Sequence, residues 1–114
     1  MIKNTPNDLV ECINYMLREY SNDELEKFKS INEDDTCIYH FGTGRQIRNN
    51  WNLWDEMSRL HLFFKSIGIF HADDMSGIIL LSLHRVLNKK PVNLKEQINF
   101  YKKYWEKYEN EELV

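Results

Sequence analysis

Apolar residues in this chain recur at helical spacing, and no window alternates apolar and polar residues as a half-buried strand requires. Leu9, Ile13, Met16, Leu17 and Tyr20 form one stripe at steps of four and three. Met75, Ile78, Ile79, Leu83, Val86 and Leu87 form a second. Leu94, Ile98, Tyr101, Trp105 and Tyr108 form a third, a seam that can pack within the fold or against a second subunit. Start and stop signals punctuate the stripes. Thr5, with Pro6 behind it and Asp8 three residues on, predicts the first helix start, and Ser21 with Glu24 the second. A helix is predicted from about Thr36 to Asn49, and another from about Asp55 to Ile67 with Gly68 as its stop. Asp73 or Asp74 caps the next, and Asn93 with Glu96 opens the last. Only four Gly and two Pro leave little chain for turns. These features predict an all-α fold: one domain over residues 1–114, a compact bundle of about six helices.

A 42% hydrophobic and 13% aromatic composition supplies a core and argues against disorder. The longest apolar run, GIILLSL, is far short of the roughly 20 residues that cross a bilayer, so no membrane contact is expected. Met1 to Pro6 carries no apolar run that would read as a secretory leader. Cys12 and Cys37 are therefore expected as free thiols in a reducing, cytoplasmic setting. Abundant Asn, Lys, Ile, Tyr and Phe point to AT-rich codons, and so to a low-GC bacterium or one of its phages.

Charge is unevenly placed. Residues 1–39 carry four basic and nine acidic side chains, residues 40–90 seven basic and four acidic. Four of the five arginines, Arg45, Arg48, Arg59 and Arg85, lie in the central part. The excess is too narrow to coat duplex nucleic acid. It suits a local pocket for a small anion.

The stretch HFGTGRQIRNNWNLW (residues 40–54) concentrates unusual residues. On a continuous helix His40, Gly44 and Arg48 share one face. Two glycines inside a helix cost roughly 1 kcal/mol each, which close approach of a backbone or a ligand would offset. Arg45 and Arg48 offer planar forks for phosphate or carboxylate. His40, Trp51 and Trp54 can stack on a base, and Asn49 and Asn50 can read base or ribose edges. Each part also has a plain reading: the asparagines as a C-cap, the tryptophans as core, the arginines as solvated charges. Gly42-Thr43-Gly44 lacks the Lys-Ser/Thr ending and preceding strand of a phosphate loop.

A second constellation is His71, Asp73 and Asp74, followed by Ser76. It has donors for a divalent cation, but capping and pairing with Arg45, Arg48 or Arg85 explain it more simply. Arg85 falls on the side of its helix that carries Asp74, Ile78 and Leu81, so it is expected to face the same space; His84 lies beside it. His61 reads as structural. Cys37 precedes His40 by three residues, yet no third group orients the pair. No catalytic set, metal centre or cofactor is expected.

The pattern H-F-G-T-G-R-Q-I-R-N-N-W-N-L-W, then G-I-F-H-A-D-D-M-S-G-I-I-L, then H-R-V-L-N, resembles an uncharacterised family of small bacterial and phage proteins across about residues 38–88. The resemblance implies a shared site near His40, Arg48, Asn49, Trp51, His71, Asp73 and Asp74, with no function attached. This chain departs from it at Ala72, where the resemblance implies proline. The leading expectation is a non-catalytic protein that binds an anionic, nucleotide-like small molecule through His40, Gly44, Arg45, Arg48, Asn49, Trp51, Trp54, His71, Asp73, Asp74 and Arg85. In a phage, such a protein would sequester a host immune nucleotide signal. Two alternatives stand beside it. One is a protein-interaction module, an immunity or regulatory protein acting through its acidic first third and aromatic last helix. The other is a small hydrolase or transferase using His71 and Asp73. A homo-oligomer is a further expected partner.

Overall fold

In the computed structural model, which describes residues 5–112, the chain is all-α. Six helices, α1 (Leu9–Glu19), α2 (Asn22–Ser30), α3 (Thr43–Asn50), α4 (Arg59–Ser66), α5 (Ala72–Leu87) and α6 (Leu94–Glu112), are joined by short loops and one 3-10 segment, Glu33–Phe41. Among the described residues there is no strand.

The architecture follows from α5. Met75, Ile78, Ile79, Leu80 and Leu83 are buried on it, together with Ser76, Ser82 and His84. A helix apolar round most of its circumference belongs inside, and every other element packs against α5. Each fully buried isoleucine contributes roughly 1.5–3 kcal/mol over its exposed state. Cys12 lies in this core and Cys37 at the surface, and both thiols are free.

Among the local start signals the second is met and the first shifts for a physical reason. The helix expected from Thr5 begins three residues later: Asp8 accepts from the Glu11 N–H at 2.9 Å, and Glu11 accepts from the Asn7 N–H at 3.1 Å. A carboxylate cap with a reciprocating glutamate outcompetes the threonine. Ser21 and Glu24 form the anticipated reciprocal box. Gly68, at φ +92, stops α4 in the left-handed region where glycine is at ease.

The helix expected over 36–49 is broken. Its first half winds as 3-10 with Thr36 buried, and Gly42 (φ −100, ψ −96) leaves the helical region before α3 begins at Thr43. Three residues per turn put Thr36 and Tyr39 on one inner face, while Ile38 and Phe41 face water. Nor do the aspartates cap α5. His71 is the N-cap and makes no capping bond with its side chain. Asp73 and Asp74 are both drawn elsewhere.

Candidate functional site

The first constellation closes around Arg48, which is only 4% exposed. Its Nη1 donates to Ser76 Oγ at 2.8 Å and meets His40 Nδ1 at 3.3 Å, while Nη2 donates to the His40 carbonyl at 3.0 Å. Arginine only donates, so Nδ1 of His40 accepts and the imidazole proton sits on Nε2. That nitrogen lies 3.9 Å from Asp73 Oδ1, which is also 3.4 Å from Arg48 Nε. Ser76 Oγ in turn donates to the Asp73 carbonyl at 3.0 Å. His40, Gly44 and Arg48 therefore do come together, although no single helix carries all three.

Gly44 explains the closeness. A Cβ there would lie 3.0 Å from Arg48 Nη1 and 3.2 Å from the Tyr39 carbonyl oxygen. The glycine makes room for its own chain and for the buried guanidinium. Arg48 is thus a strut joining the 3-10 segment, α3 and α5. An incoming anion would meet Asp73, whose side chain is 59% exposed, before it met Arg48.

Asp74 belongs to a different assembly. Its Oδ2 accepts from the Trp105 indole N–H at 2.8 Å, and the Trp105 ring stacks on His71 at 4.0 Å with planes 23° apart. Burial raises the Asp74 pKa, Asp73 adds to the rise, and the indole bond and nearby His71 oppose it. Beside it, burial pushes the Tyr101 hydroxyl up to about 12, and Asp74 adds to the rise. Gly77 admits that ring, since a Cβ there would lie 2.7 Å from Tyr101 Oη. These contacts dock α6 on the N-terminal half of α5.

Arg85 sits in neither place, which corrects the expectation that it faces the space around Asp74. Eleven residues separate the two, about 16 Å along the helix. Arg85 instead binds Glu33 through Nε at 2.9 Å, Glu96 through Nη2 at 3.0 Å and the Val92 carbonyl through Nη1 at 2.7 Å. The bond from Arg85 holds the Glu33 carboxyl below its usual range. This is a clasp between the 3-10 segment, the far end of α5 and the start of α6.

The two tryptophans separate. Trp51 is core and meets Tyr15 edge-on at 5.5 Å. Trp54 is 60% exposed, and its indole N–H donates to Asn49 Oδ1 at 3.1 Å. Arg45 is exposed on α3, four residues before Asn49, with no ion-pair partner among the described residues. Trp54 and His71 line one open cleft of about 470 Å³, together with Met57, Phe70, Asp55 and Glu56. Met57 is 77% and Phe70 58% exposed.

Met57 and Phe70 were not among the expected site residues. Their only signal was an apolar side chain at the turns bounding α4. Trp105, read as part of a packing seam, meets His71 from 34 residues away. His61 is structural as expected, buried with Nδ1 2.8 Å from the Leu53 carbonyl. Cys37 bonds the Asp34 carbonyl at 3.4 Å and makes no hydrogen bond with His40. Among the described residues no three His, Cys, Asp or Glu side chains group closely enough to hold a metal ion, and no helix is long and apolar enough to cross a membrane.

Fold and site together define a small all-α domain built round one buried helix, with a sealed arginine network on one side and an open aromatic cleft near the other. Within that class the chain belongs to the family described as a domain of unknown function, DUF6794, which matches residues 5–87. The match ends with α5, so α6 lies beyond it. No curated protein and no solved structure matches the chain.

Proposed function

We propose that this protein is a non-catalytic binding module whose partner is a segment of another protein, seated in the cleft formed by Trp54, Met57, Phe70 and His71. The observation that carries this reading is the exposure of three large apolar side chains around one concavity. Clustered aromatic and Met side chains left in water mark recognition surfaces, and their burial is worth roughly 1.5–3 kcal/mol each. Asp55 and Glu56 border the cleft, which suits a partner segment of mixed apolar and basic character. Trp105, stacked on His71, joins this surface to the aromatic last helix, where Tyr104 and Tyr108 are exposed. The acidic first third has no part in it.

Affinity capture from source cells tests the proposal with paired variants. A single stoichiometric protein should be retained by the wild type and by Arg45→Ala, and lost by Phe70→Glu. Equal retention by Phe70→Glu would sink it.

A second reading, capture of an anionic nucleotide-like molecule, keeps one specific observation. Arg45, Asn49 and Trp54 gather a guanidinium, an amide and an indole on one exposed surface, with Trp54 bonded to Asn49. On this reading Arg45 holds the phosphate and Trp54 stacks on the base; phage sequestration of a host signal is its biological form. Calorimetry with cyclic dinucleotides and ADP-ribose derivatives checks it. Binding tighter than about 1 mM, abolished by Arg45→Ala, is the expected result.

A further inference from the structure

A second concavity, of about 200 Å³, lies between α1, α2, the 3-10 segment and α5, away from the aromatic cleft. Met16, Phe28, Leu80 and Leu83 form its apolar wall. The wall is preformed: Phe28 stands edge-on to Tyr39 at 4.8 Å and to His84 at 5.5 Å, and Met16, Leu80 and Leu83 belong to the core. A dry apolar cavity of about 150 Å³ takes up benzene, so this one has room for a single substituted ring.

The edge of this space carries no net charge, because Glu24 and Lys27 both line it. The Glu24 carboxylate accepts from the Ser21 N–H at 3.1 Å and from Ser21 Oγ at 3.0 Å, bonds that lower its pKa and keep it ionised. Its field reaches into the cleft: burial raises the Tyr20 pKa and Glu24 adds to the rise, so that hydroxyl keeps its proton. A carboxylate entering here would meet Glu24, and an ammonium would meet Lys27. Either ion would also give up hydration against an apolar wall. The polar capacity that is left is neutral. Tyr20, Tyr39 and Thr43 line the space, and none of their hydroxyls has a hydrogen-bond partner within the protein among the described residues.

We infer that this cleft binds an uncharged single-ring aromatic molecule bearing one hydroxyl or carbonyl oxygen, with its ring against Met16, Phe28 and Leu80 and its oxygen bonded to the Tyr20 and Tyr39 hydroxyls. The inference is independent of the protein-partner reading, because the two clefts share no residue.

Titration of the ¹⁵N-labelled full chain with benzyl alcohol, toluene, benzoate and benzylamine tests it. Benzyl alcohol should saturate with a Kd of about 1 mM or below, shifting the Phe28, Tyr39 and Leu80 amides and leaving the Trp54 indole still. Benzoate and benzylammonium should both bind about tenfold more weakly, since each enters as an ion without a free counter-charge. The double variant Tyr20→Phe, Tyr39→Phe keeps both rings and should weaken benzyl alcohol about fivefold, the size of one hydrogen bond, while leaving toluene unchanged. Leu25→Trp, which fills part of the wall, should abolish binding of every probe, with the fold checked by its amide spectrum. Absence of saturable shifts at about 10 mM of every probe would overturn the site. Either ion binding as tightly as benzyl alcohol would overturn the uncharged class, and full alcohol affinity in the double variant would overturn the hydroxyl contact.

Discussion

Asp73 and Asp74 are neighbours in the chain and share the first turn of α5, yet they serve two different regions. Asp73 turns to a buried guanidinium and stays largely in water itself. Asp74 turns the other way, is half-buried, and has a neutral indole as its hydrogen-bond donor. The first region is a network in which Arg48 donates to Ser76 and His40 and pairs with Asp73, while its buried Nε makes no hydrogen bond. The second is a docking contact, with α6 laid on α5 and its edge continuous with an open cleft. A charge compensated by a charge makes a strut. A desolvated carboxylate held by one neutral donor makes a weaker joint, sensitive to pH.

Substitutions that compare the two regions order themselves by size. Arg48→Met should be the most damaging, because it leaves Ser76 Oγ and the His40 carbonyl without their donor in a buried site. About 3 kcal/mol is expected, a Tm lower by roughly 10 °C or more by calorimetry. Trp105→Phe removes one donor from the half-buried Asp74 and should cost only about 1 kcal/mol. Equal losses would erase the distinction between strut and joint.

Gly77→Ala tests the joint more finely. The added methyl collides with the Tyr101 hydroxyl, against a gain in helix propensity of about 1 kcal/mol, so a net loss of about 1 kcal/mol is expected. In a Tyr101→Phe background the collision is gone, and the same substitution should be neutral or stabilising. A cost unchanged between the two backgrounds would show that α6 does not dock through this pair.

Asp74→Asn should keep the bond from Trp105 and drop the desolvated charge, giving equal or up to about 1 kcal/mol greater stability at neutral pH. The pH dependence has a definite sign. Folded Asp74 holds its proton above the ordinary 3.8, so its contribution to stability is present at low pH and lost as pH rises through the folded pKa. Glu33 runs the other way, since its pKa lies below the ordinary 4.5: its contribution is present above that value and lost as pH falls through the folded pKa. Chemical denaturation between pH 3 and 7 should therefore show Asp74→Asn removing a decline with pH, and Glu33→Gln removing a rise. The smallest stability effect belongs to the cleft. Trp54→Ala should change stability by less than about 0.5 kcal/mol, because the side chain is mostly in water.

Much of this was legible in the chain. The three apolar stripes, the Ser21–Glu24 box and Gly68 act within four residues, where helical geometry leaves one outcome. That a carboxylate after His71 pairs with an arginine was readable from the charges, though not that it is Asp73 alone and Arg48 among the three candidates; the need of Gly44 for close approach was readable too. The break at Gly42 was not, since a glycine tolerates both a helix interior and its interruption. Separating Trp51 from Trp54, or Arg85 from Asp74, needed the packing, because residue type is the same whether a ring is core or surface.

What the sequence determined by itself was the all-α class, most helix limits and the acidic counterpart to an arginine-bearing face. Tertiary structure alone decided which aspartate meets which partner. Successive residues on a helix point about 100° apart, so the rotation of α5 against α3 on one side and α6 on the other sends Asp73 to Arg48 and Asp74 to Trp105. That rotation is set by the buried residues along the whole length of α5, and no local motif contains it.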